Sequence, residues 1–272
     1  MYPILMRIGS FRLRSYDTFV ALGGFFAFLF LKSREDEIGF REEADFWVLV
    51  STIIGSGFIG ARLIYMLVST PAGWEGFWRD ALSINNNFTV FGFVGGVSIG
   101  TICYSRIHGM QSPRLLDYVC LSIAIWQVFG RLGCFLNGCC FGRPVRADVP
   151  WAVTFSDPHS AIPAELLGVR LHAAQLYEAG AVSVLAAILW FTLREIENGR
   201  FRRGLVCVGY LSGYGAIRFV NEWFRGDARF VLGTAVTVGQ AFSLSLVLSA
   251  VALLLIVRSD SRRPGSRLAA RG

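Results

Sequence analysis

Charged side chains are scarce in this sequence, and lysine is almost missing from it. Charged residues make up 17% of the 272 residues, whereas soluble domains carry about 25%. Lys32 is the only lysine, so arginine supplies nearly all the positive charge behind the formal net charge of +7. No dense basic stripe is interleaved with aromatic residues, which argues against a nucleic-acid partner. The low charge also argues against one large soluble core.

The chain also lacks a convincing cleavable signal peptide. The apolar run that follows Arg7, Arg12 and Arg14 is longer than the apolar region of a signal peptide. It contains no clear cleavage site of small residues. We therefore expect this run to be the first retained membrane span.

Apolar residues, in contrast, are abundant and occur in long blocks. They form 54% of the chain, and the mean hydropathy is +0.51. A helix needs about 20 residues to cross a hydrocarbon layer of about 30 Å. Seven blocks approach this length, which predicts an all-α polytopic membrane protein with about seven transmembrane helices. The predicted spans are Tyr16–Leu31, Phe46–Val68, Phe88–Tyr104, Leu115–Phe135, His172–Leu193, Leu205–Phe224 and Val236–Val257.

The third block is short and rich in glycine, with Gly92, Gly95, Gly96 and Gly100. Small residues let neighbouring membrane helices approach closely. A broken or re-entrant segment that lines a cavity is the alternative.

The distribution of arginine predicts the orientation of the chain. Seven spans place the termini on opposite sides, and the loops on the C-terminal side hold more Lys and Arg. The positive-inside rule then predicts an outer N-terminus and a cytoplasmic C-terminus. We expect residues 1–257 to form a single transmembrane domain and residues 258–272 to form a basic, disordered cytoplasmic tail. The sequence shows no internal repeat and no soluble domain.

Ionisable residues fall inside apolar spans, among them Arg62, Arg131, Arg218 and Glu222. Such a group costs on the order of several kcal/mol in mid-membrane unless it is paired or faces a wet cavity. Arg218 and Glu222 are four residues apart, so they share one helix face and are expected to form an ion pair. These charges either serve function, or pair to fix helix packing, or reach to the membrane interface.

The segment from Gly130 to Arg143 contains four glycines, at positions 130, 133, 138 and 142. This composition indicates backbone that leaves the helix and closely approaches another group. Arg131, Asn137 and Arg143 supply hydrogen-bond donors, and arginine suits two-pronged binding of phosphate. The segment therefore predicts a site for a phospholipid headgroup. An ordinary helix end with a glycine-rich turn is the alternative.

The six cysteines fall into two groups. Those in apolar spans are interpreted as small core residues: Cys103, Cys120 and Cys207. The others cluster at the end of the fourth span: Cys134, Cys139 and Cys140. One interpretation of the cluster is a disulfide from Cys134 to Cys139 or Cys140. Free thiols, or a metal site with His159 or His172, are the alternatives, although the spacing matches no strong zinc pattern.

Histidine is scarce, with three residues in the chain. His172 opens the segment LHAAQLYEA, in which Gln175 and Glu178 are spaced along the start of a helix. His172 is either structural or catalytic.

The segment GRLGCFLNGCCFG resembles the signature of bacterial prolipoprotein diacylglyceryl transferases, which is approximately GRxGNFxNGExxG. Three further segments resemble family motifs in the same order. GARLIY is similar to the second-span arginine motif, LHAAQLYEA to HPxQLYE, and YGAIRFVNEWFRGD to the late arginine–glutamate helix. The resemblance covers most of the chain.

This resemblance implies an activity. The family's enzymes act at the outer face of the bacterial cytoplasmic (inner) membrane. They move the diacylglyceryl group of phosphatidylglycerol onto the thiol of the lipobox cysteine, in the signal-peptide region of a prolipoprotein, and glycerol phosphate leaves. The expected partners are phosphatidylglycerol, the prolipoprotein and membrane lipid. The resemblance implies no cofactor and no required metal.

The resemblance also implies residue roles. Arg131 and Arg218 are expected to hold the phosphate, Glu222 to orient Arg218, and His172 to be a further catalytic residue. The residues expected to bind phosphatidylglycerol are Arg131, Asn137, Gly142, Arg143, Arg62, Gly95 and Gly96.

The chain departs from the family pattern at several positions, including Asp17 and Val20 in the first span, where the family usually has glycine and tyrosine. Val94 stands where the family has a histidine, and Cys134 and Cys139 stand where the signature has asparagine and glutamate. The proton-handling half of the site is therefore altered, and His172, Glu222 or the acceptor's own thiol is left to supply that function. A catalytically silent member that binds phospholipid or lipoprotein precursors, and a small transporter, are the alternative functions.

Overall fold

The computed structural model describes residues 2–9, 11–69, 89–145, 149–228, 230–231 and 234–260. The sequence begins with a β-hairpin that the hydropathy pattern does not predict, formed by β1 (Ile4–Ile8) and β2 (Phe11–Arg14). The strands are antiparallel, and Ile4 pairs with Arg14. The backbone N–H of Ser15 donates to the Pro3 carbonyl at 3.0 Å, which ties the hairpin to the start of the first helix.

In the described part of the chain, seven long helices follow at the positions that the apolar blocks predict. Their bounds are α1 Ser15–Lys32, α3 Glu43–Ser69, α4 Val90–Ile107, α5 Ser112–Asn137, α6 Ala174–Glu197, α7 Leu205–Asn221 and α8 Val238–Asp260; the short helix α2 is Glu35–Ile38. Among the described residues, five of these helices are long and apolar enough to cross a membrane: α1, α3, α5, α6 and α8. The predicted polytopic α-helical class is confirmed, whereas the exact number of spans stays a prediction.

The chain divides into two compact units, Met1–Leu31 with Cys120–Gly272, and Lys32–Val119. The predicted single transmembrane domain over residues 1–257 stays a prediction. Of the predicted tail, residues 261–272 lie outside the described part of the chain.

In the second unit, α3 and α4 are in contact through their backbones. A Cβ on Gly60 would collide with the Gly92 carbonyl, and a Cβ on Gly96 would collide with the Ser56 carbonyl. A Cβ on Gly95, in contrast, would meet no atom within 4 Å. The expected close approach of helices is therefore confirmed for part of the glycine-rich block, and that block is a continuous helix.

In the first unit, α7 packs against both α6 and α8. Between α5 and α6, a two-stranded sheet forms from β3 (Val153–Thr154) and β4 (Arg170–Leu171). Phe155, Ile162 and Leu171 form a buried apolar cluster beneath this connection. Gly142, on the segment that leaves α5, forms an isolated antiparallel bridge with Arg225, just after α7. This bridge holds the segment after α5 beside the end of α7.

Candidate active site

A fully buried carboxylate, that of Glu178, lies at the centre of the charged residues in the first unit. Its Oε1 is 2.8 Å from Nη2 of Arg131 and accepts a hydrogen bond from the Tyr214 hydroxyl at 3.1 Å. Its Oε2 accepts a hydrogen bond from the Asn221 amide at 2.8 Å and is 4.0 Å from Nη1 of Arg218. One carboxylate on α6 thus joins α5 to α7. We call these five residues the Glu178 cluster.

Arg218 lies between two carboxylates. Its Nη2 is 2.8 Å from Oε2 of Glu222, four residues along the chain, so the predicted ion pair is confirmed. Both side chains are almost fully buried. The carboxylate of Glu222 rests on the backbone of α8, because a Cβ on Gly239 would collide with it.

Several buried polar atoms at this site have no hydrogen-bond partner among the described residues. They are Nη1 of Arg218, Oδ1 of Asn221, Oε1 of Gln175 and Oε2 of Glu222. The Glu222 oxygen is close to Arg218 but receives no hydrogen bond of acceptable geometry. Since buried polar groups are normally hydrogen-bonded, free donors and acceptors here are available to a ligand.

The glycine-rich segment leaves α5 through two left-handed residues. Gly138 has φ +82° and Cys140 has φ +57°. Further on, a Cβ on Gly142 would collide with the His172 carbonyl, and the His172 N–H donates to the Arg143 carbonyl at 3.0 Å. Close backbone packing therefore accounts for Gly142.

A second group of cations lies along this segment. Nε of Arg143 donates to the Arg225 carbonyl at 3.0 Å. Nε and Nη2 of Arg225 donate to the two oxygens of Asp227 at 2.8 and 2.7 Å. Burial alone would lower the pKa of Arg225, but the neighbouring Cys140 and Asp227 raise it above its ordinary value. Arg225 therefore stays charged.

The three clustered cysteines have their Sγ atoms within 4.8 Å of one another. All three are free thiols in this structure. Hydrogen bonds from Cys134 and Cys139 lower the pKa of Cys140 well below its ordinary value, against the effect of burial, and Arg131 and Arg225 act in the same direction. Among the described residues, the group that could hold a metal contains neither His159 nor His172. His159 instead pairs with Asp157 at 3.1 Å.

The family model of prolipoprotein diacylglyceryl transferase matches residues 3–256. The chain belongs to the prolipoprotein diacylglyceryl transferase family. It is 30% identical over 232 residues to the phosphatidylglycerol–prolipoprotein diacylglyceryl transferase of Clostridium tetani. The aligned region covers 84% of this chain and 87% of that protein. It is 32% identical to the protein of that name from Rhodospirillum rubrum, over 94% of this chain and 92% of that protein.

Membership of this family confirms the resemblance that the motifs indicate, and it makes the chain a multi-pass bacterial membrane protein. The structure brings together three of the four expected catalytic residues, Arg131, Arg218 and Glu222. His172 lies at the signature segment instead, with its Nδ1 3.3 Å from the Tyr177 hydroxyl and its ring centroid 5.3 Å from that of Phe224.

The expected lipid-binding residues are divided between the two units. Asn137, Gly142 and Arg143 follow Arg131 in the first unit. In the second unit, Arg62 lies on α3 with its guanidinium 6.0 Å from the Tyr65 ring centroid. Gly95 and Gly96 lie in the second unit on α4, directly after the buried Val94, the position at which the resemblance places the family's histidine.

Sequence reasoning noted Glu178 and Gln175 but did not give them a role in the site, and it missed Tyr214, Asn221 and Arg225. Glu178 carried a usable signal, because it is an acidic residue near the start of an otherwise apolar helix. Tyr214 lies four residues before Arg218, on the same helix face.

Proposed function

We propose that this protein transfers the diacylglyceryl group of phosphatidylglycerol to a cysteine thiol of a prolipoprotein and releases glycerol phosphate. The observation that carries the proposal is the convergence of two arginines, the largely buried Arg131 and the buried Arg218, on the single carboxylate of Glu178. Family membership supplies the reaction, and the relatives' names supply the donor and acceptor.

The reaction requires positive charge where the phosphate departs. Phosphatidylglycerol carries one negative charge on its phosphodiester, and the glycerol phosphate that leaves carries two. Arginine presents five N–H donors in a fixed fork. Arg131 is held by Glu178, and Nη1 of Arg218 has no hydrogen-bond partner among the described residues. Preorganised donors of this kind stabilise charge that develops in the transition state.

The two carboxylates hold these arginines in place. Glu222 is braced by Gly239 and paired with Arg218, so we assign it the role of orienting Arg218. We assign Glu178 the role of orienting Arg131, to which it is bound. Asn137, Gly142 and Arg143 extend the site along the signature segment, and Arg62, Gly95 and Gly96 remain proposed lipid-binding residues of the other unit. The catalytic role expected of His172 likewise remains a prediction.

We place the protein in the bacterial inner membrane, with the N-terminus outside and the C-terminus in the cytoplasm. The excess of Lys and Arg in the loops on the C-terminal side supports this orientation. Thiol-specific reagents that cannot cross the membrane should then reach Cys139 or Cys140 from outside. Labelling of both residues from the cytoplasmic side alone would contradict the orientation.

The test of function is transfer by purified protein in detergent or vesicles, from labelled phosphatidylglycerol to a lipobox peptide. Replacing Arg131 by alanine should lower turnover about 100- to 1,000-fold, the range for loss of one preorganised donor. Arg200→Ala is the matched control, because Arg200 is an exposed arginine paired with Glu195 on the same unit. Absence of transfer by the wild-type protein, together with lipid binding that depends on Arg131, would replace the proposal by a lipid-binding function.

A further inference from the structure

The thiols of Cys134, Cys139 and Cys140 form a cluster that the arginine chemistry does not use. Cys134 lies in the last turn of α5, and the other two lie in the turn that follows. Their sulfur atoms are within 4.8 Å of one another. Cys134 is buried, and Cys139 and Cys140 are partly accessible. The cluster is therefore covered by the protein at Cys134 and partly exposed at Cys139 and Cys140.

The backbone around this cluster is fixed in an unusual conformation. Cys140 has φ +57°, and it is the only non-glycine residue with positive φ in the described part of the chain. Such a conformation costs on the order of 1–3 kcal/mol and persists where the surroundings enforce it, commonly at functional sites. Here the amide of the buried Gln175 donates to the Cys139 carbonyl at 2.8 Å. The three sulfurs are thus brought together by a constrained turn.

We propose that Cys134, Cys139 and Cys140 bind one Zn²⁺ ion with an open fourth position, and that the acceptor cysteine thiol occupies this position during transfer. Zinc–sulfur bonds are about 2.3 Å long, so two sulfurs of a tetrahedral site are about 3.8 Å apart. The observed separations need to contract by at most about 1 Å. Three protein ligands and one open position are the pattern of catalytic zinc sites.

The charges around the cluster suit this ion. Zn²⁺ with three thiolates carries a net charge of −1, and the guanidinium groups of Arg131 and Arg225 are near enough to interact with Cys140. Soft thiolate ligands select zinc over magnesium or calcium. The proposal also gives a role to Cys134 and Cys139, the two signature positions at which this chain departs from the family pattern. It departs from the expectation that the reaction requires no metal.

The proposal rests on the proposed transferase function. It explains how the acceptor cysteine is deprotonated to the thiolate that the reaction needs. A thiol that coordinates zinc is deprotonated, and its proton passes to water. The zinc-bound sulfur of the acceptor cysteine attacks the carbon of the diacylglyceryl group that carries the phosphate ester oxygen. The carbon–sulfur bond forms, the carbon–oxygen bond breaks, and its electron pair leaves on the phosphate oxygen of glycerol phosphate. Zinc keeps its charge throughout, and the thioether product dissociates as a weaker ligand.

Zinc binding is measured first, without reference to activity. Purified full-length protein is reduced, freed of metal and titrated with Zn²⁺, and the metal retained per chain is determined by mass spectrometry. We expect one zinc per chain, and X-ray absorption should show three sulfur ligands. Cys139→Ser and Cys140→Ser should lower zinc affinity by more than about 100-fold, since loss of an outer partner alone costs about 10- to 100-fold. The Cys103→Ser variant should bind zinc as the wild type does, because Cys103 belongs to the other unit.

The second measurement tests the open position. A lipobox peptide should add a fourth sulfur ligand to the zinc, and the same peptide with serine in place of cysteine should not. Zinc retained equally by the Cys139→Ser and Cys103→Ser variants, or no zinc retained by the wild-type protein, would overturn the proposal. The removal and return of zinc are performed on the wild-type protein, so the outcome of that measurement does not depend on whether a variant folds.

Transfer assays separate this proposal from the function on which it rests. Transfer at an unchanged rate by the zinc-free protein would overturn the zinc site and leave the transferase function standing. Zinc that binds the peptide sulfur without any transfer would leave the site standing and overturn the function. We expect zinc removal to lower turnover by at least about 100-fold, the lower range of a proton-handling group, and return of zinc to restore it.

Discussion

Replacement of Glu178 by glutamine tests whether one carboxylate holds both arginines. The side chain is fully buried and contacts Arg131 at 2.8 Å, Asn221 at 2.8 Å and Tyr214 at 3.1 Å. Glutamine keeps the shape but removes the negative charge, and its amide group would oppose one of these donors. We expect the variant to fold with a lower free energy of unfolding. Arg131 and Arg218 would then lack the negative charge that they share in the wild type.

The size of this effect follows from burial. Removing one partner of a buried ion pair costs about 3–5 kcal/mol, whereas an exposed pair contributes about 0.2–1 kcal/mol. Glu195→Gln is the matched control, because Glu195 pairs with Arg200 at 2.9 Å at an exposed position. Glu178→Gln should therefore lower the free energy of unfolding several-fold more than Glu195→Gln does.

The assay is thermal unfolding in detergent, with and without phosphatidylglycerol. If the arginines bind its phosphate, the lipid supplies the missing negative charge, and it should stabilise Glu178→Gln more than it stabilises the wild type. Diacylglycerol, which lacks the phosphate, should not produce this difference. Equal stability of the two glutamine variants, or equal stabilisation of wild type and Glu178→Gln by the lipid, would refute this reasoning.

Three further predictions test other parts of the structure. Gly96→Ala should destabilise the protein in thermal unfolding, because its Cβ would collide with α3, whereas Gly95→Ala, which meets open space, should be neutral or stabilise by up to about 1 kcal/mol. Gly239→Ala should displace Glu222 and lower the rate of diacylglyceryl transfer by about 100-fold, with lipid binding less affected. His172→Gln should lower transfer by less than about tenfold if zinc makes the thiolate; a loss of about 100-fold or more would assign proton transfer to His172.

The long helices could be predicted from the sequence because each coincides with an apolar block. The Arg218–Glu222 pair could also be predicted, because both residues lie on one helix four positions apart. The N-terminal hairpin was missed, since its pairing depends on contacts between strands and not on hydropathy. Local sequence patterns therefore predict the long helices and the ion pair within one helix.

The centre of the site could not be predicted in the same way. Glu178 gathers partners from α5 and α7, and nothing in the local sequence specifies which helices meet at it. The thiol cluster was visible as spacing, but its geometry depends on the left-handed turn at Cys140 and on the hydrogen bond from Gln175. These long-range contacts are what the structure adds.

The most direct test of the account is the balance of products from the purified wild-type protein. Phosphatidylglycerol labelled in its headgroup is supplied with a lipobox peptide, and both products are quantified by mass spectrometry. The account predicts one thioether-linked diacylglyceryl peptide for each glycerol phosphate released, with both products lost in Arg131→Ala and Arg218→Ala. Release of glycerol phosphate without peptide modification, or product formation by the two variants that equals that of the wild type, would contradict it.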